Sequence, residues 1–182
     1  GLTGSAGNEA LVPAANIAFS GTGSSRTATI TPAMASGTSP ITFTASDGAA
    51  TTSQTFNLTV LNQADTWRWQ HFGADWNDET IAGDLADPDQ DGVSNLLERS
   101  FGGNPTAFES GLLPAVDPSA PLLSIVYRKA KAATDLSFTV QESADLADAS
   151  WAPATGTSTL LSDDVTVETH RFTSPAEGAT KK

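Results

Sequence analysis

Apolar and polar residues alternate with a period of two through both ends of this chain, which is the mark of strands with one buried face. Ile41, Phe43 and Ala45 alternate with Thr42, Thr44 and Ser46, and Phe56, Leu58 and Val60 alternate with Thr55, Asn57 and Thr59. Both runs predict strands. Residues 16–19 and 26–31 predict two more, joined by the Ser20-Gly-Thr-Gly-Ser turn, and Ser46-Asp-Gly-Ala has the composition of a hairpin connection. Near the other end, Leu136, Phe138 and Val140 alternate with Ser137, Thr139 and Gln141, the most regular such pattern in the chain. Residues 122–128 and 165–172 are further strand candidates, 157–161 a weaker one, and 147–153 around Trp151 read as a turn. In between, the period changes. Val93, Leu96, Leu97 and Phe101 have i, i+3, i+4, i+8 spacing and are followed by Gly102-Gly103 and Asn104-Pro105, so a helix should run there and stop. Thr66-Trp-Arg-Trp-Gln-His-Phe predicts a second short helix, ended by Gly73. The expected fold is mainly β: two small β-sandwich-like domains joined by a short helical connector.

Charge sharpens the boundaries. Of the 182 residues, 21 are Asp or Glu and nine are Lys or Arg, for a net charge of −12. Residues 1–62 hold Glu9, Asp47 and Arg26; residues 63–110 hold ten acids against Arg68 and Arg99; residues 111–182 hold nine acids and six bases. These shifts predict a partial β domain over 1–62, a connector over 63–110 and a second β domain over 111–182. So acidic a chain repels phosphate backbones and anionic lipid, so nucleic acid and membrane surfaces are not expected partners. No apolar run is long enough for a helical membrane span. The absence of cysteine excludes disulfides, zinc ribbons, iron–sulfur clusters and thiol nucleophiles. The chain opens on Gly1 with no signal-peptide pattern, and its one methionine is Met34, so a processed chain or a piece of a larger protein is expected. Too few strands are visible for a full sandwich in residues 1–62, and another strand is expected beyond Pro175-Ala-Glu-Gly-Ala and Lys181-Lys182.

One motif carries chemistry. Asp87-Pro-Asp89-Gln-Asp91-Gly92-Val93-Ser-Asn95-Leu-Leu-Glu98 fits the twelve-residue calcium loop. Asp87, Asp89 and Asp91 take positions 1, 3 and 5, where three carboxylates converge as the chain winds round a point. Gly92 at position 6 permits the sharp turn. Val93 at position 7 offers its carbonyl, Asn95 at position 9 an amide oxygen or a held water, and Glu98 at position 12 a bidentate carboxylate. All are hard oxygen donors, which suit Ca2+ and disfavour zinc or copper. Four carboxylates in twelve residues would repel one another without a cation.

Enzyme motifs are not found. His71 and His170 lie far apart with no zinc-type spacing, there is no Gly-x-Ser-x-Gly elbow, and Gly21-Thr-Gly23 lacks the setting of a dinucleotide loop. Asp163 and Asp164, adjacent in sequence, cannot act as a joint acid and base within a strand and read as turn charges. Trp67, Trp69 and Phe72 could stack on sugar, but their helical spacing favours packing.

Several stretches carry a resemblance. Asn8-Glu-Ala-Leu-Val-Pro, Thr27-Ala-Thr-Ile-Thr-Pro-Ala, Ile41-Thr-Phe-Thr-Ala-Ser-Asp-Gly and Phe56-Asn-Leu-Thr-Val resemble the later strands of bacterial immunoglobulin-like or cadherin-like repeats. The 87–98 loop resembles the single calcium loops of thrombospondin type 3-like and dockerin modules; dockerins usually carry two loops with Asp at the last position, whereas here there is one loop with Glu98. The 67–105 stretch and the β segment after it resemble the connector and terminal domain of secreted bacterial multidomain proteins. The resemblance implies a secreted or cell-surface location and a non-catalytic, calcium-binding spacer or adhesion role, with the ion limiting bending between β domains. Its partners would be calcium, neighbouring domains and a carbohydrate or protein ligand of unidentified type. The alternative is an accessory, carbohydrate-binding region of a secreted hydrolase, which an exposed cluster of Trp67, Trp69, Trp76 or Trp151 would favour.

Overall fold

A computed structural model describes residues 1–33, 35–143, 146–147 and 150–175. It is mainly β and divides into two compact units, Gly1–Asn62 and Gln63–Lys182. Met34, part of the expected turn over 147–153, and the connection and Lys pair beyond 175 lie outside the described residues.

In the first unit, β1 (Leu2–Ala6), β4 (Gly37–Ser46) and β5 (Thr51–Val60) form an antiparallel sheet in the order β1-β4-β5. A separate hairpin pairs β2 (Ile17–Ser20) with β3 (Thr27–Ile30). The alternation has the expected consequence. Leu11, Val12 and Ile41 are buried, and Ala6, Ile17, Ile30, Phe43, Leu58 and Val60 pack on them, whereas Thr42 and Thr55, paired across β4 and β5, join their hydroxyls on the other face at 2.8 Å. Phe43 meets Phe19 and Phe56 edge to face, at 5.4 and 5.6 Å between centroids. Gly4 makes room for Ile17, since a Cβ there would stand 2.5 Å from the Ile17 side chain. β1 is a strand that alternation did not predict; Leu2 is its one large apolar residue, and its ladder with β4 defines it.

The second unit starts with α1 (Gln63–Phe72) and contains α2 (Asn95–Phe101), β6 (Ala115–Val116), β7 (Ser124–Ala130), β8 (Gln141–Glu142), β9 (Ala152–Pro153), β10 (Thr157–Asp163) and β11 (Val167–Thr173). Its antiparallel sheet has the order β10-β11-β7-β6, and β8 pairs with β9. The strand candidates at 122–128, 157–161 and 165–172 fall in β7, β10 and β11 with ends shifted by up to two residues. Asp163 closes β10 and ion-pairs with Lys131, while Asp164 lies in the turn to β11. α2 stops at Gly102, whose φ of +73° places it in the left-handed region and whose missing side chain lets Val167 approach; a Cβ would lie 2.6 Å from Val167 Cγ2.

Two expectations are corrected. Leu136 to Val140 belong to no sheet among the described residues, although Leu136, Phe138 and Val140 are half-buried and Ser137 and Thr139 exposed. Alternation records which side faces the core; a ladder also needs a neighbouring backbone within hydrogen-bond reach. Here single backbone bonds, from the Ala154 N–H to the Val140 carbonyl at 2.9 Å and from the Leu136 N–H to the Ala133 carbonyl at 3.1 Å, do not extend into a ladder, and Phe138 packs against Phe101 and Tyr127. The boundary at 110/111 is the second correction. Leu112 joins Val93 and Phe101 in one buried cluster, so the acidic connector and the following β segment form one unit. Its loop cannot then be a free joint between two β domains.

The fully buried Ile41 should be a principal support of the first unit. Ile41→Ala is expected to lower its stability by about 2–5 kcal/mol in chemical denaturation; a loss under about 1 kcal/mol would mean that the cluster is loosely packed.

Candidate metal centre

The 87–98 loop is wound by two residues in the left-handed region, Gln90 at φ +61° and Gly92 at φ +87°. Its carboxylates first organise its own backbone. Asp87 Oδ2 accepts from the Gly92 N–H at 3.0 Å, Asp89 Oδ1 from the Asp91 N–H at 3.2 Å, and Asp91 Oδ1 from the Val93 N–H at 2.8 Å. Asp91 Oδ2 accepts from the Glu109 N–H at 3.0 Å. One oxygen from each of the three aspartates then lies within 4.8 Å of the others.

The α2 side contributes two residues that are rarely buried. Asn95 is 1% exposed and Glu98 is 0% exposed. The Asn95 amide group donates to the Ile81 and Gly83 carbonyls, both at 2.9 Å, which fixes the side chain and leaves its Oδ1 without a partner. Glu98 has no hydrogen bond at either Oε1 or Oε2, and Asp87 Oδ1 and Asp89 Oδ2 are likewise buried and unpartnered. Five buried oxygens of the predicted ligands therefore lack a donor among the described residues; a sixth buried oxygen, Asp117 Oδ2, lies elsewhere and meets Arg171 at 2.6 Å. A buried carboxylate without a donor costs several kcal/mol, and native proteins satisfy such groups with hydrogen bonds, ions or water.

The electrostatics agree with the geometry. Burial, then the charges of Asp89, Asp91, Glu109 and Asp87, push the Glu98 carboxyl up to about 8 from its ordinary 4.5. Asp89 is also raised, by burial first. Acceptor oxygens that crowd and repel one another can be reconciled by a cation, and a shell without nitrogen or sulfur selects a hard one. Of the six predicted ligands, the structure brings Asp87, Asp89 and Asp91 together. Glu98, outside that tight trio, and Asn95 carry buried orphan oxygens. Val93 is 4% exposed and locked by its side chain in the cluster with Phe101 and Leu112.

Sequence reasoning missed the outer supports. Ile81 and Gly83 act through their carbonyls, which no side-chain pattern announces, and Glu109 lies outside the twelve-residue motif. Away from the loop, a cavity of about 510 Å3 lies beside α1, lined by Trp67, Gln70, His71, Arg99 and Val167 among others. Arg99 ion-pairs with Asp135. His71 packs on Trp67 at 4.6 Å between rings, and burial lowers its pKa. His170 is engaged with Glu168 at 2.9 Å. Comparison with protein-family models, with curated proteins and with solved structures finds no match to this chain.

Without a cation, folded Glu98 keeps its proton up to about pH 8, whereas in the unfolded chain it is lost near 4.5. The folded state then binds more protons across that window, so stability falls as pH rises through it. In chelator, the denaturation midpoint of the second unit should drop between about pH 5 and pH 8, and Glu98→Gln should flatten the dependence. A flat profile in the unsubstituted chain would contradict the burial of an unpaired Glu98.

Proposed function

We propose that the 87–98 loop binds one calcium ion through Asp87, Asp89, Asp91, the Val93 carbonyl, Asn95 and Glu98, and that the ion is a structural centre of the second unit. The observation that carries this reading is the set of five buried oxygens with no donor, all from side chains of those residues. Oxygen donors in this number suit Ca2+, which takes six to eight ligands, better than Mg2+, which keeps most of its waters.

The chain as a whole is read as a non-catalytic, calcium-stabilised spacer or adhesion region of a secreted or cell-surface protein, with two small β-sandwich-like units. The three-stranded sheet and hairpin around Ile41 and the sheet beside α2 support that architecture. An extracellular setting supplies calcium at levels where affinities of about 10⁻⁴ to 10⁻³ M suffice. The ion acts mechanically within the second unit, where α2 leaves the loop and packs on β7. The tryptophans favour the spacer over a sugar-binding accessory region: Trp69 and Trp151 are exposed but Trp67 and Trp76 are half-buried, so the rings are divided rather than presented as one exposed set.

Calorimetric titration of the full chain should show saturable binding of one Ca2+, abolished by Glu98→Gln. At about 100 times the dissociation constant, calcium should stabilise the second unit by about 2.7 kcal/mol over the chelated form. Absence of heat up to about 10 mM calcium, together with equal melting in calcium and in chelator, would overturn the reading.

A further inference from the structure

The segment that follows α2 is tied to the loop by more than chain connectivity. Pro105 is fully buried, and Asn104 builds a turn over it, its Oδ1 accepting from the Thr106 N–H at 3.2 Å and hydroxyl at 2.9 Å. Glu109 closes this turn and joins it to the metal loop. Its Oε2 accepts from the Asn104 N–H at 3.3 Å, and its own N–H donates to Asp91 Oδ2 at 3.0 Å. Both glutamates flank Gly103: a Cβ there would lie 3.2 Å from Glu109 Oε2 and 3.4 Å from Glu98 Cβ. A half-buried fifth carboxylate thus stands next to a fully buried one whose oxygens have no donor. Like charges so placed destabilise the fold unless one of them is protonated or a cation lies among them.

We propose that Glu109 is a further member of the calcium site, a positioning residue outside the twelve-residue loop that fixes Asp91 through its backbone N–H and adds its side-chain charge to the field holding the ion. This rests on the calcium reading above. It also gives the ion a second role, since binding draws the 104–109 turn and the following Leu112 onto the loop through the residue that serves both. Charge count sets the affinity of such sites, and partners just outside the ligand shell typically contribute 10- to 100-fold.

Glu109→Gln separates this role from a merely structural one. It keeps the backbone donor, the side-chain shape and an acceptor for the Asn104 N–H, and it removes the charge. Calcium affinity by calorimetry should fall about 10- to 100-fold, while the melting temperature in chelator should stay level below about pH 8, where Glu98 is protonated, and stay level or rise above it, where repulsion between the two carboxylates is relieved. Glu109→Asp, which keeps the charge on a shorter arm, should fall between the two. Affinity within about twofold of the unsubstituted chain would overturn the proposal. So would a drop in chelator-state stability that accounts for the whole effect, since Glu109 would then be a structural residue. If the unsubstituted chain itself fails to bind calcium, the calcium reading is lost first, a result distinct from failure in the variants alone.

Discussion

The second unit depends on what neutralises Glu98. This carboxylate is fully buried on α2, next to Val93, Phe101 and Leu112, and it has no donor at either oxygen. A hydrophobic cluster of that size cannot offset an unpaired buried charge, whose transfer from water costs far more than burial of a few apolar side chains returns. The carboxyl must either hold its proton or face a cation. Burial and the charges of Asp89, Asp91, Glu109 and Asp87 raise its pKa to about 8, so at neutral pH it holds its proton unless, as proposed, a cation is bound.

Much local structure follows from that requirement. Asn95 directs both amide hydrogens to the Ile81 and Gly83 carbonyls, which anchors the 78–86 stretch to the start of α2; the Asn95 and Leu96 N–H groups add bonds to the Ala86 and Asp84 carbonyls. On the other side, Asp91 and Glu109 hold the turn after α2. Two irregular stretches are thereby fastened to one short helix, and α2 in turn packs on β7. Polar groups arranged about a charged centre do here what a larger apolar core does elsewhere.

The winding of the 87–98 loop was legible in the sequence because each of its positions does local work. Turn residues, carboxylates and the closing glutamate stand at fixed offsets, and Gly92 and α2 appear where the motif requires them. The strands of the first unit were legible wherever Thr and Phe or Ile alternate strongly. What was not legible is non-local. β1 is a strand because β4 lies beside it, and the small residues of Leu2-Thr-Gly-Ser-Ala do not announce it. Leu136, Phe138 and Val140 keep their period of two without a ladder, since packing on one side with isolated backbone bonds at the ends is enough to preserve it. The charge boundary at 110/111 followed the acids of the loop, whereas the core that unites the unit runs across it through Leu112. Glu109 stands eleven positions past Glu98, and only folding brings the two together.

The central claim is that the orphan oxygens of Asp87, Asp89, Asn95 and Glu98 surround an ion. A crystal structure of the full chain grown with calcium, with anomalous diffraction recorded to identify the metal, tests it most directly. The account predicts one anomalous peak among these residues, with ligand oxygens at about 2.3–2.6 Å and Glu98 bound through both of its oxygens. A site without a peak, in which waters satisfy Glu98 or its side chain turns out to solvent, would contradict it.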